Sequence, residues 1–175
     1  MPSNYKTLII TKDEQAFHKG TPLLLLGQWC NIDYSAESIL PNSDIEYVYN
    51  TLSDNNEREK HYYYIQKISK QLLIDMAEVL NAHHKVAFSN KDWKILLGNY
   101  ILLFSHTSYI KWQLLQNAIK INNINTVRVP IFDDWDTFIP KDEIEYNNLF
   151  NHEKFYAYLT REIILKSNFN IHIEE

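Results

Sequence analysis

The chain has 175 residues, of which 45% are hydrophobic, 14% aromatic and 22% charged. That is the length of one domain with enough apolar side chains for a substantial core, which excludes a disordered chain. A formal net charge of −5 gives no field for a polyanion, and the densest basic stretch is only the two lysines Lys67 and Lys70, so no nucleic-acid partner is expected.

Tyr5–Thr11 (YKTLIIT) is β-branched and apolar, as a first strand should be. A polar stretch follows, and then Pro22–Leu26 (PLLLL), a continuous apolar run of the kind found in strands buried on both faces of a parallel sheet. It leads into Gly27-Gln28-Trp29-Cys30, which places three chemically distinctive side chains at the carboxyl end of that strand. Residues 31–53 read as loop. From Asn55 to about His83, apolar residues at Ile65, Ile68, Leu72, Met76, Val79 and Leu80 recur at helical spacing.

Ser89 or Asn90 is placed to cap a second helix carrying Trp93, Leu96, Leu97, Tyr100, Ile101 and Phe104. Gly98 in its middle costs about 1 kcal/mol relative to Ala, and marks a close helix contact or a bend. The helical pattern resumes at Ser108 and runs to Ile119. Thr126–Ile131 (TVRVPI) alternates like a strand, with Pro130 near its end. After the acidic and aromatic segment Asp133-Asp134-Trp135-Asp136, the stretch from Lys141 to about Ser167 reads as one or two helices. Asn170–Ile173 could start another strand. This order predicts an α/β fold: residues 1–175 as a single domain, with a small open parallel sheet of three or four strands and long helices packed on it. A thin sheet that stops mid-pattern is expected of the N-terminal part of a longer protein.

Three glycines cannot supply a Gly-rich phosphate loop, and no C-x-x-C, H-E-x-x-H or G-x-S-x-G pattern occurs. No cofactor and no metal site is therefore evident, and no catalytic residue is assigned. The first candidate for ligand binding is Gln28, Trp29 and Cys30, because parallel α/β sheets bind ligands outside the carboxyl ends of their strands. Trp29 offers a stacking face, or it fills a seam between strand and helix with Cys30. The second is Asp133, Asp134 and Asp136 after the third strand. Carboxylates there could hydrogen-bond sugar hydroxyls or help hold a cation, or form a plain polar loop. His83 and His84 end the long helix, where histidines complement the helix dipole.

Leu26-Gly27-Gln28-Trp29-Cys30, Leu80-Asn81-Ala82-His83-His84, Trp93-Lys94-Ile95-Leu96-Leu97-Gly98, and Asp142-Glu143 to Tyr146-Asn147 with Leu149-Phe150 follow one another in this order. Together they resemble a bacterial family of transferases associated with O-antigen and other surface-polysaccharide biosynthesis. The family pattern has Glu where Gln28 stands, and Pro where Asn99 follows Gly98. The resemblance implies the N-terminal half of a two-domain glycosyltransferase-like fold. It also implies a nucleotide-activated sugar donor, a polysaccharide or lipid-linked acceptor, and a C-terminal domain facing this one across a cleft. His84 joins the substrate-binding candidates by the resemblance alone.

The N-terminus, Met1-Pro2-Ser3-Asn4-Tyr5-Lys6, lacks the basic start and apolar run of a signal peptide, and Leu23–Leu26 is too short to span a bilayer. No transmembrane segment is expected. A lone Cys30, which allows no internal disulfide, fits a reducing compartment, so the chain reads as cytoplasmic. The resemblance implies work at the inner face of the membrane. The leading functional expectation is a transferase segment contributing the acceptor side, inactive as an isolated fragment. The other is a non-catalytic binding or assembly module that keeps the fold without the chemistry, which the loss of a carboxylate at Gln28 would favour.

Overall fold

The computed structural model describes residues 6–11, 22–30, 45–48, 54–121, 124–129, 138–150, 152–167, 169 and 171–174. Five strands run through these residues: β1 (Lys6–Ile9), β2 (Leu23–Leu25), β3 (Ile45–Tyr47), β4 (Ile124–Arg128) and β5 (His172–Glu174). They form one open sheet in the order β3-β2-β1-β4-β5, and every neighbouring pair is parallel. The α/β class and the parallel pairing agree with the sequence, and the sheet is wider than the three or four strands expected. The extra strand is β3, in a region read as loop. Ile45–Tyr47 is three residues long and largely exposed, so it lacks the apolar run by which β2 announces itself.

The central strands are apolar because helical and loop segments cover both faces of such a sheet. Leu8, Ile9, Ile10, Leu24, Leu25, Leu26 and Val127 are all at most 1% exposed. Each of these side chains is worth roughly 1.5–3 kcal/mol of burial. The chain winds outward from β1 through β2 to β3, then returns to the other side of β1 with β4 and β5. The order reverses between β1 and β4, and in open α/β sheets the crevice at such a reversal, at the carboxyl ends, is the ligand-binding edge.

The described residues also form four α-helices: α1 (Asn55–His84), α2 (Asn90–Ile121), α3 (Glu143–Leu149) and α4 (Glu153–Lys166). The chain forms two compact units, Met1–Tyr49 with Lys111–Glu175, which holds the sheet, and Asn50–Ile110, a helical hairpin. α1 starts at Asp54, whose carboxylate accepts from Asn56 N at 2.7 Å, and ends where Lys85 takes a left-handed conformation at φ 54°. α2 starts with a capping box: the Ser89 hydroxyl accepts from Asp92 N at 3.3 Å, and the Asp92 carboxylate accepts from Ser89 N at 2.8 Å.

α2 runs unbroken where the sequence suggested an interruption between Phe104 and Ser108. No Gly or Pro lies there, and a serine hydroxyl alone does not stop a helix. Gly98 likewise sits in regular helix, where an added Cβ would meet only Lys94 Cγ at 3.3 Å. The hairpin has its own core of Leu73, Ala77, Trp93 and Ile101, flanked by Leu72, Met76, Leu80, Val86 and Leu97.

Candidate functional site

β2 hands directly into a 3₁₀ turn, Gln28–Cys30, on the carboxyl edge of the sheet. Leu26 N donates to Ile9 O at 3.0 Å, which carries the β1–β2 pairing to the strand end, and Cys30 N donates to Gly27 O at 3.0 Å, which closes the turn. Trp29 folds back over the turn so closely that a Cβ on Gly27 would lie 2.6 Å from its Cε3, and nearer still to Cζ3 and Cη2. No real Cβ tolerates such a contact, so glycine at position 27 is a condition of this Trp29 pose.

Above the turn sits Lys111 of α2, only 3% exposed. Its Nζ lies 3.2 Å from the centre of the Trp29 ring and 4.2 Å from that of Tyr156 in α4. The two rings are 6.4 Å apart and inclined at 40°. Among the described residues, Lys111 has no ion pair or hydrogen bond. Trp29 Nε1 is also buried there without an acceptor.

Desolvation lowers the Lys111 pKa from its ordinary 10.5 to about 7, with Cys30 acting weakly the other way. A cation over two aromatic faces gains about 2 kcal/mol when desolvated. An ammonium withdrawn from water loses several kcal/mol. The rings therefore offset only part of the cost, and the amine stands near neutrality at physiological pH.

Cys30 lies beneath, 0% exposed. Burial pushes its thiol from 9.0 up to about 11, against the smaller lowering effects of the Gly27 backbone and Lys111. From the end of β1, Thr11 Oγ1 donates to Glu153 Oε1 at 3.1 Å, tying that edge to the first turn of α4. Farther along the edge, at the ends of β4 and β5, Arg128 Nε pairs with Glu174 Oε2 at 2.9 Å. Two strand ends and two helices thus bring Thr11, Trp29, Cys30, Lys111, Glu153 and Tyr156 together.

Of the residues singled out from the sequence, Gln28, Trp29 and Cys30 stand on this edge. Asp133, Asp134 and Asp136 lie outside the described residues, although β4, which precedes them, ends on the same edge. His84 is the last residue of α1 in the hairpin unit, its ring 6.3 Å from that of Trp93.

Two of the sequence segments quoted for the resemblance, Leu80–His84 and Trp93–Gly98, meet within that hairpin. Asn81 Oδ1 accepts from Trp93 Nε1 at 3.0 Å and from Phe88 N at 3.1 Å, and Asn81 Nδ2 donates to Phe88 O at 2.9 Å. Lys111, Tyr156, Glu153 and Thr11 escaped the sequence reading. One signal could have found Lys111: it shares a helical stripe with Leu114, Leu115 and Ala118, all buried, so a charge stands where the pattern asks for an apolar side chain.

Residues 6–175 match the family model described as LIC12162 family transferase. The chain belongs to the LIC12162 family of transferases. That membership carries the transferase class and leaves substrate and pathway open. No curated protein and no solved structure matches this LIC12162 family chain. Among the described residues, no helix is long and apolar enough to cross a membrane, and no cluster of three or more His, Cys, Asp or Glu could hold a metal ion.

The hairpin unit carries a separate open groove of about 800 Å³ between α1 and α2. Leu73, Ile74 and Leu102 floor it, and Lys67, Lys70, Lys91 and Lys94 stand around it. Lys67 and Lys70, unremarkable in the sequence, are joined there by two lysines from the next helix.

Proposed function

We propose that this chain forms the acceptor-side half of a glycosyltransferase-like enzyme of surface-polysaccharide biosynthesis. It takes a nucleotide-activated sugar as donor and a polysaccharide or lipid-linked acceptor, and works at the cytoplasmic face of the membrane with a second α/β half opposite. Family membership supports the transferase class. The observation that carries the placement of the site is the turn Gln28–Cys30 at the carboxyl end of β2, with Trp29 and the buried Lys111 directly above it. An indole beside a polar group is a common platform for a sugar ring. In this reading Gln28 and Trp29 line the acceptor site and Cys30 supports the turn from beneath, while Asp133, Asp134, Asp136 and His84 stay as further substrate-binding candidates.

The test is a transfer assay on the full-length natural protein with labelled sugar nucleotides and lipid-linked oligosaccharides. Trp29→Ala should raise the acceptor KM at least tenfold and leave the donor KM within twofold. Binding of sugar without any turnover would support a binding module instead. Failure to bind or transfer any of the sugars would overturn the proposal.

A further inference from the structure

Lys111 and Trp29 Nε1 are both hydrogen-bond donors, both withdrawn from water, and both without an acceptor among the described residues. They belong to one cluster: the ammonium nitrogen is 3.2 Å from the centre of the ring that carries Nε1. Buried polar groups in folded proteins almost always find partners, and each one left unmade costs about 1–3 kcal/mol, more when charged. A pair of unmet donors at the carboxyl edge of a parallel sheet is therefore a receptor for something rich in acceptors.

The groups facing Lys111 do not fill that role. Cys30, from the β2 turn, holds a thiol that burial keeps protonated through the neutral range. Tyr156, from α4, meets the amine with its ring, and burial raises its phenol pKa further. Glu153, also from α4, accepts from Thr11 instead. Among the described residues no carboxylate is bonded to the amine or the indole N–H, so an anion that enters meets two free donors.

We propose that Lys111 and the indole N–H of Trp29 form an oxyanion receptor for a phosphate ester or diphosphate. The inference rests on the transferase reading, in which both an activated sugar donor and a lipid-linked acceptor carry that chemistry. Arrival of the anion supplies the missing counter-charge, so the neutral amine takes up a proton from solvent and the resulting ammonium pairs with a phosphate oxygen. Binding is thereby coupled to proton uptake. Above the pKa of the empty site, apparent affinity falls about tenfold per pH unit, because the protonated fraction falls by that factor. Lys111 is 3% exposed, so the anion reaches the amine only when the local packing opens.

The experiment is calorimetric titration of the full-length protein with inorganic pyrophosphate, uridine diphosphate and a short-chain prenyl diphosphate. Each is run at pH 7 and 8.5, in buffers of different ionisation enthalpy. The expected result is uptake of about half a proton at pH 7 and nearly one at pH 8.5, since half the amines are then neutral at the lower pH. Lys111→Met should weaken binding at least 100-fold. Lys111→Arg, which keeps the charge but cannot lose its proton, should bind with no proton uptake and a flat pH profile. Trp29→Phe, which keeps a ring beneath the amine and removes the N–H, should cost five- to tenfold.

A preference for the nucleotide assigns the site to the donor, and a preference for the prenyl compound to the acceptor. Equal binding by the parent and Lys111→Met, or binding without proton uptake, overturns the receptor. Lys111-dependent binding in a protein that transfers no sugar would leave the receptor standing and remove the transferase reading instead.

Discussion

Lys111 holds its amine 3.2 Å from the centre of the Trp29 ring, and that contact replaces water around a group whose pKa falls to about 7. The direction of the shift fixes how stability depends on pH. The unfolded chain protonates this lysine below its ordinary 10.5, whereas the folded chain does so only below about 7. Between those values the unfolded state binds the extra proton, so stability rises with pH at up to about 1.4 kcal/mol per unit and is flat in this term below 7.

Urea unfolding from pH 6 to 10 should show this rise in the parent protein. Lys111→Met, close in length and without charge, should lose the slope and be the more stable protein at pH 7. A parent and a variant with parallel profiles would show that a counter-ion already neutralises Lys111.

Gly27→Ala should destabilise the protein by about 1–3 kcal/mol, the usual cost of forcing an atom into filled space. Its Cβ would lie 2.6 Å from Trp29 Cε3, and the indole has no flexible end to swing aside. In a Trp29→Ala background the same substitution should be nearly neutral. This double-mutant cycle, read by denaturant midpoints, isolates the steric term. A full cost in both backgrounds would mean that the backbone of the turn, and not the ring, demands glycine.

Cys30 should be an inert thiol in the folded protein. It is fully buried, and a rise from 9.0 to about 11 leaves about a hundredfold fewer thiolates at neutral pH. Iodoacetamide should label it slowly in native buffer and quickly in 6 M guanidinium as a reagent concentration, with the native rate climbing as pH approaches 11. Rapid native labelling at pH 7.5 would count against the buried placement.

Strand and helix positions were legible wherever one periodicity ran long enough. Leu23–Leu26 declared a buried parallel strand, and Ile65 to Leu80 declared a helix. β3 was illegible because three residues cannot establish a period, and because its side chains gain little from burial. The site was half legible. Gly27 through Cys30 stood out by residue type at a strand end, but Lys111 lies 81 residues beyond Cys30, and a charge on the apolar stripe of α2 does not by itself say what it faces. Only the wound sheet, which sets β2, α2 and α4 side by side, turns it into a buried amine between two rings. The lysines of the hairpin groove were hidden in the same way, two on each helix.

Asn81 supplies the last prediction, because it separates a structural tie from a catalytic group. Its carboxamide is bonded to Trp93 Nε1 and to both backbone groups of Phe88, which locks the α1–α2 connection to the first turns of α2. Trp93 is 6% exposed and packs in the hairpin core, so its N–H cannot turn to water if Asn81 is lost. Asn81→Ala should therefore cost about 2 kcal/mol, most of it from the unmet indole donor. Trp93→Phe in the same background should recover part of that loss, with a coupling of about 1 kcal/mol. Hydrogen exchange should quicken at the C-terminal turns of α1 and the first turns of α2 while the sheet amides hold their protection. Transfer activity of the folded protein, corrected for the folded fraction, should stay within twofold of the parent. A variant that melts normally and fails in transfer would instead place Asn81 among the groups that touch substrate, and His84, three residues on in the same helix, with it.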